Sequence, residues 1–213
     1  MSNLKLTFTS VEKQIIIKHL AKDKKLQTLI KSIPFPEVKL NKNLYASLVE
    51  AIISQQLSIA AAKTIHTRFL ALFNHTMPSH QSLLSCDNNF LRTAGISNQK
   101  AGYLKNIAAF ALQNSLNYND IKHLNDDELI SYLCQIKGVG RWTAEMILMF
   151  NLQRLNIIPI DDLGIQNSMK KLYNINEEGK ILKELMLKKS KKWEPYKSIA
   201  CMYLWRWKDE KKV

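Results

Sequence analysis

The sequence predicts an all-α fold, one compact helical unit with a small division around a central cleft. Three observations carry that prediction. Apolar residues recur at helical spacing from residue 43 onward, strand signals are nearly absent after residue 40, and Ser, Thr, Asp and Asn stand where each apolar stripe begins. With 213 residues, 46% of them hydrophobic, the chain can fill a core, which argues against global disorder.

Taken in order, Leu4, Leu6 and Phe8 alternate with polar residues and predict a short strand. Thr9-Ser10-Val11-Glu12 is a capping box that opens a helix rich in Ile and Leu. Lys22-Asp23-Lys24-Lys25 reads as a solvated charged face, and Ile33-Pro34-Phe35-Pro36 breaks the helix and marks a linker. Leu44, Leu48, Ala51 and Ile52 fall on one helical stripe. Gln55-Gln56-Leu57-Ser58 interrupts it, and Ser58 caps a helix carrying Ile65, Phe69, Leu72 and Phe73. Pro78-Ser79 and Asp87 open short helices, and Gly95-Ile96-Ser97 turns into a longer one from Asn98 to about Asn114. Asn125-Asp126-Asp127-Glu128 is a second capping box. Further helices follow Asp162 and Asn176-Glu177, and Pro195 suits the first turn of a final helix reaching about Trp207.

Charge narrows the partner. Lys plus Arg is 31 against 18 Asp plus Glu, a formal charge of +13 spread along the chain. A basic surface of that kind suits a nucleic acid, and equally a set of solvated lysine-rich helix faces. Cys86, Cys134 and Cys201 are far apart and form no CxxC, which favours a reducing interior over a disulfide framework. Met1-Ser2-Asn3-Leu4-Lys5 leads into no uninterrupted apolar stretch, so no signal peptide is expected. No apolar run approaches the roughly 18 residues of a membrane span, and the expected setting is cytoplasmic, or nuclear in a eukaryote.

The chemistry-bearing stretch is Ile136-Lys137-Gly138-Val139-Gly140-Arg141-Trp142-Thr143-Ala144, followed by Pro159-Ile160-Asp161-Asp162. Two of only six glycines sit in this stretch, where a tight turn or a close backbone approach requires them. The apolar run Glu145 to Phe150 reads as a helix, so the arrangement is helix, Gly-Val-Gly hairpin, helix. First-turn N–H groups of the second helix suit a phosphate, and Lys137, Arg141 and Thr143 flank them with two cations and a hydroxyl. The same pattern also serves as a plain helix–helix connection. Asp161 and Asp162 stand at a helix start, where one carboxylate suffices as a cap and the dipole favours the charged form. Trp142, Trp193, Trp205 and Trp207 are ordinary core candidates whose faces can also sandwich an extruded base. Gln56, with Leu57 beside it, sits at a helix break, as solvated loop or as a wedge into a base stack.

These residues carry a resemblance. The stretch from Ile136 to Ala144 with its following aspartate resembles the helix-hairpin-helix DNA glycosylase superfamily. More closely the chain resembles the 3-methyladenine DNA glycosylase II, or alkylation-repair, family. Ala51 to Ser58, Leu91-Arg92-Thr93-Ala94-Gly95-Ile96, Ile136 to Met149 with Pro159 to Ile165, and Trp193 to Ser198 with Trp205 all bear it out.

The resemblance implies two helical lobes around a cleft, with an N-terminal β-rich domain absent or vestigial. Residues 1–40 are then an N-terminal extension packing on the helical core. Residues 41–213 are the glycosylase domain, with the hairpin in 127–152 and the catalytic aspartate loop in 157–165. Asp162 matches the catalytic aspartate. Trp142 and Trp205 match pocket tryptophans, and Met146 replaces a pocket aromatic of some members. Gln56, with Leu57 adjacent, matches the intercalating residue. Amides of Gly138 and Gly140 match the backbone-binding positions, and carbonyls of Cys134, Ile136 and Gly138 can hold a monovalent or divalent cation. Lyase relatives carry a lysine where Trp142 stands, so a monofunctional enzyme is expected. Only Cys201 lies in the C-terminal region where iron–sulfur relatives have four cysteines, so no cluster is expected. The implied activity is hydrolytic removal of alkylated bases from double-stranded DNA by a monomer that needs no cofactor and no membrane. Excision of a neutral base such as uracil or hypoxanthine, and non-catalytic DNA docking, are the competing readings.

Overall fold

The computed structural model describes residues 8–37 and 41–210, the last two by backbone alone. Leu4 and Leu6 of the expected strand lie outside the described residues, and Phe8 is not in a strand. Among the described residues the structure is helical throughout, with one isolated antiparallel bridge between Asn43 and Asn117. The chain divides into two compact units: a middle unit, Asn41–Ile147, and a flanking unit drawn from the residues before and after it.

The flanking unit begins with α1 (Ser10–Leu20) and α2 (Lys24–Ser32). Thr9 and Glu12 form the expected capping box: the Glu12 N–H donates to Thr9 Oγ1 at 3.2 Å, and the Thr9 N–H donates to Glu12 Oε2 at 2.7 Å. α2 stops at Ser32 because Pro34 pushes Ile33 into an extended conformation. One expectation is corrected here: Lys22 to Lys25 is not wholly a solvated face. Asp23 is only 3% exposed. It caps α2 through the Lys25 N–H at 3.1 Å and accepts from Trp193 Nε1 at 2.9 Å, from Lys192 Nζ at 3.0 Å and from the Tyr173 hydroxyl. A buried carboxylate requires such partners. Burial raises its pKa, but the Tyr173, Trp193 and Lys192 bonds outweigh burial and leave it below the usual carboxylate value. Trp193 is fully buried in this clasp and serves the core.

The middle unit runs through α3 (Leu44–Ser54), α4 (Ile59–Ala71), α5 (His80–Ser85), α6 (Asn88–Thr93), α7 (Asn98–Gln113), α8 (Tyr118–Ile121), α9 (Asp126–Cys134) and α10 (Arg141–Met146). Ser58, Ser79, Asp87 and Ser97 cap their helices as the sequence predicts. α3 buries more than one stripe: Leu44, Leu48, Val49, Ile52 and Ile53 are all fully buried, while Ala51 is half-buried. Each such Leu or Ile contributes about 1.5–3 kcal/mol relative to exposure. α3 needs so wide an apolar face because it packs against both α4 and α7. α7 also takes α5 and α6, so it is the axis of this unit.

After Met146 the helix widens into a π-helical turn, Ile147–Asn151, rather than continuing regularly. The flanking unit resumes with α11 (Leu163–Tyr173), α12 (Gly179–Ser190), a 3₁₀ turn and α13 (Lys197–Glu210). α11 packs against α13, α12 and α2. Pro195 does not occupy a helical first turn: its bond to Glu194 is cis, and α13 starts at Lys197.

Candidate active site

In the middle unit the capping box of Asn125 and Glu128 starts α9, which delivers the chain to the hairpin. Gly138 has φ +105°, and a Cβ there would fall 2.3 Å from the Tyr103 ring. Positive φ and the close ring both require glycine. Gly140 differs. It is extended, at φ −89° and ψ 172°, and a Cβ on it would meet open space. It caps α10 with no side-chain hydrogen bond, so nothing of its own covers the first-turn N–H groups. Val139 is buried between the two glycines and pins the turn.

The charges around the hairpin are unequal. Lys137 is exposed. Arg141 is drawn back along its own helix, with Nε 2.9 Å from the buried Glu145 carboxylate and a terminal nitrogen 3.8 Å from Asp127. Thr143 is corrected: it is buried, and its hydroxyl lies 3.5 Å from Gln55 Nε2, so it is an internal partner rather than a solvent-facing phosphate ligand. Helical geometry explains the difference, since the third residue of α10 points into the unit while the first points out. Of the carbonyls expected to hold a cation, that of Ile136 accepts from the Val139 N–H at 2.9 Å and that of Gly138 from Gln55 Nε2 at 3.3 Å. A cation there would share both oxygens with donors already in place. No His, Cys, Asp and Glu cluster with metal-binding geometry occurs among the described residues.

Gln56 and Leu57 protrude where α3 hands over to α4. Gln56 sits at φ +57°, a left-handed conformation rare for a residue with a side chain. Leu57 is 37% exposed, and Ile59, in the first turn of α4, is 91% exposed. Ile59 enlarges the protruding apolar group, and its position just behind the cap was the available signal for it.

In the flanking unit the aspartate doublet divides its work. Asp161 pairs with Lys183. Asp162 is the N-cap of α11, and its Oδ1 accepts from the Ile165 N–H at 2.8 Å and from Trp205 Nε1 at 2.9 Å. The cap therefore falls on the second aspartate of the doublet, and the same oxygen takes the indole N–H. Two N–H groups on one oxygen fix the orientation of the carboxylate. Gly164 makes this approach feasible: a Cβ there would stand 2.9 Å from Asp162 Oδ1 and 3.1 Å from Trp205 Nε1. Glycine in a helical first turn is unfavourable relative to Ala, which was the sequence signal for its role. Phe150 also goes unforeseen; it is 41% exposed, and its ring lies 5.6 Å from that of Trp205. Nothing in the sequence announces a pair so far apart along the chain. Trp142, 43% exposed, and the half-buried Met146 belong to α10 in the middle unit. Among the described residues no helix is long and apolar enough to cross a membrane.

Comparison with known proteins adds a further constraint. A family model described as HhH-GPD superfamily base excision DNA repair protein matches residues 49–195. The chain is 35% identical over 167 residues to DNA-3-methyladenine glycosylase 1 of Schizosaccharomyces pombe (strain 972 / ATCC 24843), covering 78% of this chain and 72% of that protein. A Bacillus subtilis (strain 168) protein provisionally named a DNA-3-methyladenine glycosylase is 33% identical over 173 residues; they make up 78% of this chain and only 60% of the relative. Among solved structures, the Schizosaccharomyces pombe 3-methyladenine DNA glycosylase in complex with abasic DNA superposes with a TM-score of 0.79 at 33% identity, covering 90% of this chain and 95% of that one.

Proposed function

The chain belongs to the HhH-GPD superfamily of base excision DNA repair proteins and has the helix-hairpin-helix glycosylase fold, and we propose from that premise that it is a monofunctional DNA glycosylase removing alkylated bases from double-stranded DNA. The observation that carries the reading is the Asp162 carboxylate, held on one oxygen by a helix-start N–H and an indole N–H. A cap alone needs no indole donor.

In this reading the first-turn amides of α10 and the exposed Lys137 grip the phosphate backbone. Gln56, with Leu57 and Ile59, fills the gap as the damaged nucleotide turns out of the stack. Each unit offers faces to a base: Trp142 and Met146 in the middle unit, and Trp205 with its ring neighbour Phe150 in the flanking unit. A base alkylated on a ring nitrogen is cationic, so it departs as a neutral molecule without a general acid. The N-glycosidic bond breaks with its electron pair going to the base. The Asp162 carboxylate stabilises the positive sugar and orients water, which adds to C1′ and releases a proton. The product is an abasic site. No lysine stands at position 142, so the enzyme forms no Schiff base there and leaves the strand intact. It acts as a monomer and requires no cofactor; a cation at the carbonyls of Cys134, Ile136 and Gly138 would assist only the backbone grip.

The test is to incubate the protein with dimethyl-sulfate-treated duplex DNA and identify released bases by mass. Release of 3-methyladenine with strands intact until alkali is added is the expected result. Release only from uracil- or hypoxanthine-containing duplexes would shift the reading to a neutral base, and binding without any release would reduce it to a docking module.

A further inference from the structure

We propose that Lys100 is a positioning residue that locks the wedge loop to the phosphate-binding hairpin, so that gripping the backbone and filling the base stack become one event. Two carbonyls at the end of α3 have no partner within the helix, as at any helix C-terminus. The Lys100 ammonium supplies one to each, donating to the Ile53 carbonyl at 2.7 Å and to the Gln55 carbonyl at 2.8 Å. Both bonds fall on the residues that lead directly into the left-handed Gln56. A residue with a side chain holds that conformation only when its surroundings determine it, and Lys100 is the element that does so. Burial lowers the pKa of its ammonium.

Lys100 lies on α7, and the same helix carries the hairpin. Tyr103 lies directly beneath Gly138, and Asn106 Nδ2 donates to the Lys137 carbonyl at 3.1 Å. Lys100, Tyr103 and Asn106 follow one another at three-residue steps, which keeps them on one side of the helix. A direct cross-link completes the circuit, because the Gln55 amide that precedes the wedge donates to the Gly138 carbonyl at 3.3 Å. The wedge loop, α7 and the hairpin therefore form a closed loop of contacts within the middle unit. A phosphate that settles the hairpin also settles the register of Gln56. The inference rests on the glycosylase reading for what the wedge accomplishes; the coupling itself rests on these contacts.

The test uses Lys100→Met, Lys100→Arg and Gln55→Ala in the full chain, with two probes. One is an undamaged duplex, read by fluorescence anisotropy. The other is a duplex with 2-aminopurine beside a tetrahydrofuran abasic-site analogue, where fluorescence reports the wedge entering the gap. Base release from dimethyl-sulfate-treated DNA is followed in parallel. Lys100→Met and Gln55→Ala should keep their affinity for undamaged duplex, lose the 2-aminopurine response, and slow base release on the order of tenfold to a hundredfold. Lys100→Arg, which retains donors of similar reach, should recover most of the response. An unchanged response, or one falling in step with affinity for undamaged DNA, overturns the proposal. Should Lys100→Met not fold, Lys100→Gln, whose shorter side chain carries no ammonium, is read in its place with the same expected and overturning results. Should the parent release no base while the variants lose the wedge signal, the coupling stands and the glycosylase reading fails.

Discussion

Two helix starts, one in each unit, put the same electrostatics to opposite uses. α10 begins at Gly140, which has no side chain to lay over the N–H groups behind it. α11 begins at Asp162, whose own carboxylate already occupies that place. The first leaves its N–H groups uncovered by any cap side chain, and the second lays a carboxylate over them. The difference teaches that a helix N-terminus has no fixed function. What the cap residue supplies decides whether the site binds a negative charge or presents one. The glycines divide the same way. Gly138 and Gly164 are required by their neighbours, Tyr103 in one case and the Asp162–Trp205 pair in the other, whereas Gly140 has open space around it.

The contrast can be broken most decisively at Asp162. Asn caps a helix as well as Asp and accepts the same N–H bonds, so Asp162→Asn removes charge while keeping the cap. Single-turnover base release should fall about a hundredfold to a thousandfold with thermal stability unchanged; release near the parent rate would mean that Asp162 is only a cap. Gly138→Ala comes next. The new methyl meets the Tyr103 ring at positive φ, so urea unfolding should show a loss of about 2–4 kcal/mol. Gly140→Ala should unfold like the parent and lower affinity for any duplex, making it the cleaner probe of backbone approach. Gly164→Ala would sharpen the other side by displacing Trp205 or Asp162. Base release should drop on the order of tenfold to a hundredfold while binding to undamaged duplex stays constant; equal loss of both would point to a general structural fault. The smallest effect is at Lys137. Its replacement by Ala should weaken binding to all sequences alike and flatten the salt dependence of log K by about 0.9, the contribution of one phosphate contact.

Much of the fold was legible because its signals are local. The boxes at Thr9 and Asn125 and the caps at Ser58, Ser79, Asp87, Ser97 and Asp162 depend on residues within one turn of each other. The reading failed where the partner was distant. Asp23 looked like part of a charged surface because Tyr173 and Trp193, which bury it, lie far along the chain. Thr143 looked like a phosphate ligand because its burial against Gln55 depends on how α10 is rotated. Pro195 looked like a helix start because the isomer of its peptide bond is not written in its neighbours.

By itself, the sequence determined the helical class, the order and capping of the helices, the glycine hairpin and the presence of an aspartate at a helix start. Each follows from periodicity or from hydrogen bonds closed within a few residues. Only the tertiary structure decided that Asp161 is spent on Lys183 while Asp162 takes the indole of Trp205, that Gly164 clears the way for it, and that Lys100 bonds the Ile53 and Gln55 carbonyls. Those choices join residues from different helices, and which side chains meet across a packed core depends on the rotation and approach of whole elements, which no local pattern encodes.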